Sequence, residues 1–251
     1  MKIVYVVPGP MDPQEVMRRG GLLQEWAAPG TDVEIISVTE GPASIESMYE
    51  EYLSIPATMK LIYKLERDGS YDAAILGCAG DPGLDAAREI TDHMFVIGPG
   101  QSSMQIATML GHRFSLITIE DSMIASSYEL AYKAGVLEKL ASVVSVNIPV
   151  LELATNKAES LEKIVAVART AIERDRADAL VLGCMSMGFL NVAKEIEAAV
   201  GVPVVNPSVT ALKTAEAIVG SGLMHSKHAF ATPPKLATGS VSDLDELYIG
   251  G

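Results

Sequence analysis

The chain has 251 residues, 49% of them apolar and 5% aromatic, with a formal net charge of −13. That length fills one large domain or two small lobes, and that charge offers no basic patch to a phosphate backbone, which argues against a nucleic-acid partner. Two cysteines make no disulfide framework and stand at no zinc-finger spacing, while the absence of a leader-like cleavage site or a long apolar run predicts a cytoplasmic protein with no membrane partner.

In chain order, short β-branched runs predict buried strands at Ile3–Val7, Val33–Val38, Ala73–Leu76, Met94–Ile97, Phe114–Ile119, Val143–Val146, Ala179–Leu182 and Val202–Val205. Amphipathic segments between them predict helices at Pro13–Trp26, Ile45–Arg67 with a kink at Pro56, Asp81 to Ile90, Gln101–Leu110, Ser122–Ala134, Ala158–Arg174, Met187–Ala199 and Ser208–Val219. Asp81 is read as the cap of its own helix, with Pro82 in the first turn, and Ser122 as another cap. Strand and helix in alternation predict an α/β fold with parallel sheets covered on both faces. The stretch after Gly220 lacks periodicity and reads as a wrapping or loosely held tail.

Two of these strands carry the same phrase. Asp72 to Gly80 reads DAAILGCAG and Asp178 to Gly188 reads DALVLGCMSMG, so each cysteine follows a strand and precedes a helix, at the carboxyl edge where open α/β sheets bind ligands. The strands Ile3–Val7 and Phe114–Ile119 stand in matching places before them. The expected architecture is two pseudo-symmetric, Rossmann-like lobes, residues 1–97 with 206–251 and residues 98–205, with an active site in the cleft between.

One thiol from each of two facing lobes suits a carbon acid whose proton leaves one face and returns on the other, since one base alone restores the starting configuration. A thiol pKa near ~8.5 permits transfer in both directions, and helix N-termini after Cys78 and Cys184 are expected to favour thiolate. The competing readings of the thiols are small buried hydrophobes, a redox pair, or inert members of a binding or sensing cleft. Gly77 and Gly183 have a backbone reason as well, the tight turn out of each strand.

The stretches GCAGDPGLDAARE, VIGPGQSSM, LGHRFSLIT, AGVLEKLASVVSVNIPVLEL, DALVLGCMSMG and GVPVVNPSVTALKTAEAIV resemble, in order and spacing, the hydantoin racemase branch of the aspartate/glutamate racemase superfamily. The resemblance runs from about Lys2 to Gly220. It implies two α/β lobes, an isomerase that uses neither cofactor nor metal, and Cys78 and Cys184 as the catalytic acid and base. It also implies substrate contacts from Pro8 and Gly9 in the loop after the first strand, from Ala79, Gly80 and Asp81, from Thr118, and from Met185 and Ser186. That loop reads VPGPMD where the family has Asn-Pro-Asn, and Gln101 stands where it has glutamate. Backbone N–H groups of Ala79, Gly80, Met185 and Ser186 are candidates to hold a carbonyl oxygen or carboxylate.

Apolar Ala79 and Met185 beside the cysteines favour a neutral 5-substituted hydantoin or a relative such as allantoin. Aspartate or glutamate racemisation, maleate isomerisation and arylmalonate decarboxylation are the alternatives within the superfamily. The expected partners are a small-molecule substrate and further copies of the chain. His93 and His112 read as surface or capping groups, His225 and His228 as tail residues without a metal-ligand set. Met48–Leu53 reads as a solvated helix face, with Tyr49 and Tyr52 as packing residues or a lid.

Overall fold

The computed structural model describes residues 1–241 and 244–247; the expected tail and first-lobe residues at 242–243 and 248–251 lie outside that range. The first half contains β1 (Lys2–Val7), α1 (Pro13–Trp26), β2 (Asp32–Ser37), α2 (Met48–Asp68), β3 (Ala73–Leu76), α3 (Leu84–Glu89), β4 (Phe95–Ile97) and α4 (Pro99–Leu110). The second contains β5 (Phe114–Thr118), α5 (Ile124–Lys133), β6 (Leu140–Ser145), α6 (Lys157–Glu173), β7 (Ala179–Leu182), α7 (Met185–Phe189), α8 (Ala193–Val200) and β8 (Val204–Val205), followed by α9 (Pro207–Gly220) and α10 (Pro234–Ala237).

The strands form two four-stranded sheets of the same order, β2-β1-β3-β4 and β6-β5-β7-β8, in which every pairing is parallel. The repeated phrase occupies β3 and β7, each beside the first strand of its sheet. Asp72 and Asp178 pin the strand starts: Asp72 Oδ2 accepts from the Lys2 N–H at 2.7 Å, and Asp178 Oδ2 from the Arg113 N–H at 3.0 Å. Glycine pins the other end, where the Gly77 N–H donates to the Val6 carbonyl and the Gly183 N–H to the Ile117 carbonyl, both at 2.8 Å. A Cβ on Gly77 would lie 2.4 Å from Val6 O, and one on Gly183 2.5 Å from Leu116 Cδ2. Glycine is therefore needed at both places for close approach, so that the cysteine that follows is delivered at the sheet edge.

Apolar side chains fill both faces of each sheet. Ile3, Tyr5, Ile75 and Ile97 point to one face of the first sheet and Val4, Val6, Ala74, Leu76 and Val96 to the other, the alternation expected of strands buried on two sides. α7 crosses over: Met185 and Phe189 belong to the core cluster of Ile3 and Tyr5, and the Phe189 ring meets Tyr5 edge-on at 5.5 Å and stacks on Trp26 at 5.8 Å.

Several expectations need correction. The helix expected over Met187–Ala199 is two helices, α7 and α8, because Phe189 turns into the first sheet's core, Asn206 Nδ2 donates to the Gly188 carbonyl at 2.9 Å, and Asn191 takes a positive φ of 54°. α2 continues through Pro56. Ser122 caps nothing; its hydroxyl donates across to the Glu46 carbonyl at 2.5 Å. The tail wraps against the edge strand β4, where His225 Nε2 accepts from the Val96 N–H at 2.7 Å and its ring stacks on Phe95 at 4.2 Å.

Asp81 does not cap its own helix. α3 starts at Leu84 behind Gly83, and Asp81, at φ 55°, sends its carboxylate to the N-terminus of α4, accepting from Gly100 N–H at 2.8 Å and Gln101 N–H at 2.7 Å. One side chain thus ties the Cys78 turn to a helix nearly twenty residues on. Replacing Asp81 by Ala strands two N–H donors and is expected to lower stability by about 2 kcal/mol in urea unfolding, with Asp81→Asn costing about half as much; equal stability of all three would show that the cap contributes nothing.

Candidate active site

The carboxyl edges of the two sheets face one cleft of about 450 Å³. Its wall includes every catalytic and substrate-contact candidate of the sequence: Pro8 and Gly9 after β1, Cys78, Ala79, Gly80 and Asp81 after β3, Thr118 at the end of β5, and Cys184, Met185 and Ser186 after β7. Gln101 lines it too. The cleft has the size and partly apolar lining of a small-molecule site.

Both cysteines are free thiols, partly accessible, one on each side of this cleft. Their local settings differ from expectation. Cys184 is the cap residue of α7, and the N–H groups of Ser186 and Met187 favour its thiolate. Cys78 lies in a turn well before α3, with only the Gly80 N–H acting in the same sense. Burial outweighs these donors and pushes both thiols above their ordinary range. For Cys78 the carboxylates of Glu51 and Asp81 add to that push, whereas Arg19 opposes it at Cys184.

Asp81 reaches the cleft wall, yet both its carboxylate oxygens are taken by the α4 N–H groups; burial pushes its carboxyl up to about 7 against those donors and the Arg88 charge. Thr118 is buried at the strand end. Ser186 accepts through Oγ from Arg19 Nη2 at 3.1 Å, and both its hydroxyl and its backbone N–H favour the Cys184 thiolate.

Three wall or floor groups escaped the sequence reading. Arg19, on α1, is paired with Glu15 at 2.6 Å and lies 4.7 Å over the Phe189 ring, so it joins α1 to α7 beneath Cys184. Tyr5, fully buried on β1, donates to the Gly77 carbonyl at 3.3 Å and feels both cysteines electrostatically. Glu51, on the first turn of α2, lines the cleft instead of a solvated face, and its Oε2 is buried without a hydrogen-bond partner. Burial pushes the Glu51 carboxyl up, opposed by Lys133 and reinforced by Glu129. The neighbouring tyrosines do not pack as expected: Tyr49 and Tyr52 are 78% and 66% exposed, and only Tyr52 reaches the cleft rim. An i,i+4 pair at Glu15–Arg19 and an acidic first turn at Glu50 and Glu51 look the same in sequence whether they face water or a cleft.

The segment before α2 is tied to the loops that follow β5 and β6. Glu46 takes the Val150 N–H on Oε1 at 2.8 Å while its carbonyl takes the Ser122 hydroxyl. No helix among the described residues is long and apolar enough to cross a membrane.

The family profile described as Asp/Glu/Hydantoin racemase matches residues 21–215. A hydantoin racemase of Pseudomonas sp. (strain NS671) is 37% identical over 203 residues, 80% of this chain and 80% of that one. Among solved structures, an allantoin racemase from Klebsiella pneumoniae superposes with a TM-score of 0.86 at 30% identity, covering 94% of each chain. The allantoin racemase of Pseudomonas fluorescens gives a TM-score of 0.83 at 28% identity, covering 93% of this chain and 97% of its own.

Because burial disfavours thiolate at both sites, alkylation of Cys78 and Cys184 by iodoacetamide is expected to keep accelerating above pH ~8.5, the ordinary thiol value, with Cys78 the slower of the two. Peptide-resolved mass spectrometry of the alkylation rate against pH checks this; a plateau already reached by pH 8 would mean that the backbone donors prevail over burial.

Proposed function

This chain belongs to the Asp/Glu/hydantoin racemase family, and from that premise we propose that it racemises a 5-substituted hydantoin or the related ureido compound allantoin through Cys78 and Cys184. The observation that carries the reading is the position of the two thiols, one from each sheet, on the wall of a single cleft. Similarity to proteins named hydantoin and allantoin racemases supports the substrate class.

The chemistry proposed is a two-base proton transfer. One cysteine, as thiolate, takes the proton from the ring carbon next to the carbonyl, and the electron pair left behind moves onto the carbonyl oxygen. Backbone N–H groups of the turns after β3 and β7 are suited to hold that oxygen as its charge grows. The other cysteine, as thiol, returns a proton to the opposite face, so the configuration inverts and the two sulfurs exchange protonation states. The residues directly after the two cysteines, Ala79 and Met185, are apolar and buried, so neither offers a side-chain hydrogen bond to a substrate carboxylate. A neutral ring suits that setting better than an amino acid.

Each single variant, Cys78→Ala and Cys184→Ala, is expected to lose racemisation by about 10²–10⁴-fold, while each still exchanges the carbon-bound proton of one enantiomer, of opposite hand in the two variants. Optical rotation and deuterium incorporation by NMR, measured with both hands of several 5-substituted hydantoins, allantoin, aspartate and glutamate, read this out. A single-cysteine variant that inverts any of these at the wild-type rate would end the two-base proposal, and turnover of the amino acids alone would reassign the substrate.

A further inference from the structure

Glu51 is a buried acceptor in search of a donor. A carboxylate has lone pairs and no proton to give, its Oε2 is enclosed with nothing bonded to it, and an unpaired buried acceptor is unfavourable unless something that enters the cleft satisfies it. Gly80 lets the carboxylate come close to the Cys78 turn: a Cβ there would lie 2.6 Å from Glu51 Oε2 and 3.7 Å from Cys78 Sγ. Glu51, Gly80 and Cys78 all line the cleft, so the carboxylate and the thiol flank one stretch of its wall, and a group held against that stretch is close to the carbon that Cys78 addresses.

We propose that Glu51 accepts the N–H bonded to the reacting carbon and so orients the substrate and restricts its class, an inference that rests on the racemase reading above. A carbonyl oxygen turned toward Glu51 would meet lone pair with lone pair, and a substrate carboxylate would meet like charge. An N–H satisfies the orphan oxygen with a charge-assisted hydrogen bond. In a hydantoin the ring nitrogen N1 is directly attached to the reacting carbon, so the bond fixes the ring by a rigid two-atom lever and turns its carbonyl away from Glu51. Glu51 is in this sense a specificity-determining residue: it favours cyclic or open ureido compounds over dicarboxylates. The cation nearest in effect, Lys133, is borne by α5 on the other side of the cleft and moderates the carboxylate without bonding to it.

The test compares 5-benzylhydantoin with its N1-methyl and N3-methyl derivatives, as kcat and KM for racemisation by wild type, Glu51→Gln and Glu51→Leu. Wild type is expected to reject the N1-methyl compound by about 10²-fold in kcat/KM relative to the N3-methyl one, since a site built around a substrate N–H penalises its loss heavily. Glu51→Leu is expected to lose most of its kcat/KM on the parent compound and to discriminate less than about threefold between the two methyl derivatives, with Glu51→Gln, which keeps an acceptor oxygen, recovering part of both. Equal wild-type rates for the two methyl derivatives, or discrimination that survives in Glu51→Leu, would overturn the role of Glu51. If the leucine variant fails to fold, the wild-type comparison alone decides. Turnover of unmethylated 5-benzylhydantoin by wild type is the control that separates the two readings: without it both fall, and with it only the role of Glu51 is at stake.

Discussion

The cleft depends on a short parallel strand that is pinned at both ends to its neighbour, and the chain builds that strand twice. At the start an aspartate accepts from the backbone just before or at the adjoining first strand, Lys2 for Asp72 and Arg113 for Asp178; at the finish a glycine N–H closes onto that strand's penultimate carbonyl. With both ends fixed, a four-residue strand has no freedom to slip, and in a sheet buried on both faces a slip of one residue would exchange its two sets of apolar side chains. The next residue after the glycine is then held at the sheet edge. That residue is cysteine in both lobes, and the recurrence of DAAILGC as DALVLGC is the sequence form of this constraint.

Two pinned strands place two thiols, but they do not by themselves make the thiols face each other. The lobes are joined by contacts from α1, α7 and the segment before α2. α7, which follows Cys184, seats Met185 and Phe189 in the first sheet's core; Arg19 Nη2 donates to Ser186 Oγ, and Arg18 Nη1 donates to the Phe189 carbonyl at 3.0 Å. The strap at Glu46 does the same on the α2 side. Deep burial of an aromatic ring is worth about 2–3 kcal/mol, more than any of the polar contacts around it, so the apolar plug is the dominant link and the hydrogen bonds set its orientation.

Much of this was legible in the sequence because it is local. Strand runs bounded by Asp and Gly, the Pro13–Trp26 helix, and the repeated phrase itself are patterns of neighbours in the chain. What sequence reading misplaced is long-range. Asp81 in DPGL has the look of a helix cap, and it is one, for α4 rather than for the helix that follows it. Glu51 sits in an acidic first turn, an arrangement favoured at any helix N-terminus, and nothing in MYEEYL distinguishes the glutamate turned into the cleft from the one beside it. The thiols show the same limit: the helix start expected beside each cysteine is present at Cys184 and absent at Cys78, and the burial that outweighs the backbone donors at both is invisible in local sequence.

The two halves are alike in backbone and unlike in charge. Cys78 has Glu51 and Asp81 nearby, and Cys184 has Arg19 with two backbone donors, so these neighbours favour a proton on Cys78 and the thiolate, when it forms, on Cys184. Burial that makes a resting thiolate scarce also makes it a stronger base once formed, which suits removal of a weakly acidic carbon-bound proton. In the proposed reaction this asymmetry has a bounded effect. Enantiomers of a single-centre substrate have equal free energy, so their interconversion constant is one and kcat/KM must be the same in both directions. The unequal electrostatics of the two thiols can therefore divide only between kcat and KM: whichever enantiomer meets the thiol that is already deprotonated binds to the resting enzyme, and its mirror image binds to the form that the first turnover leaves behind.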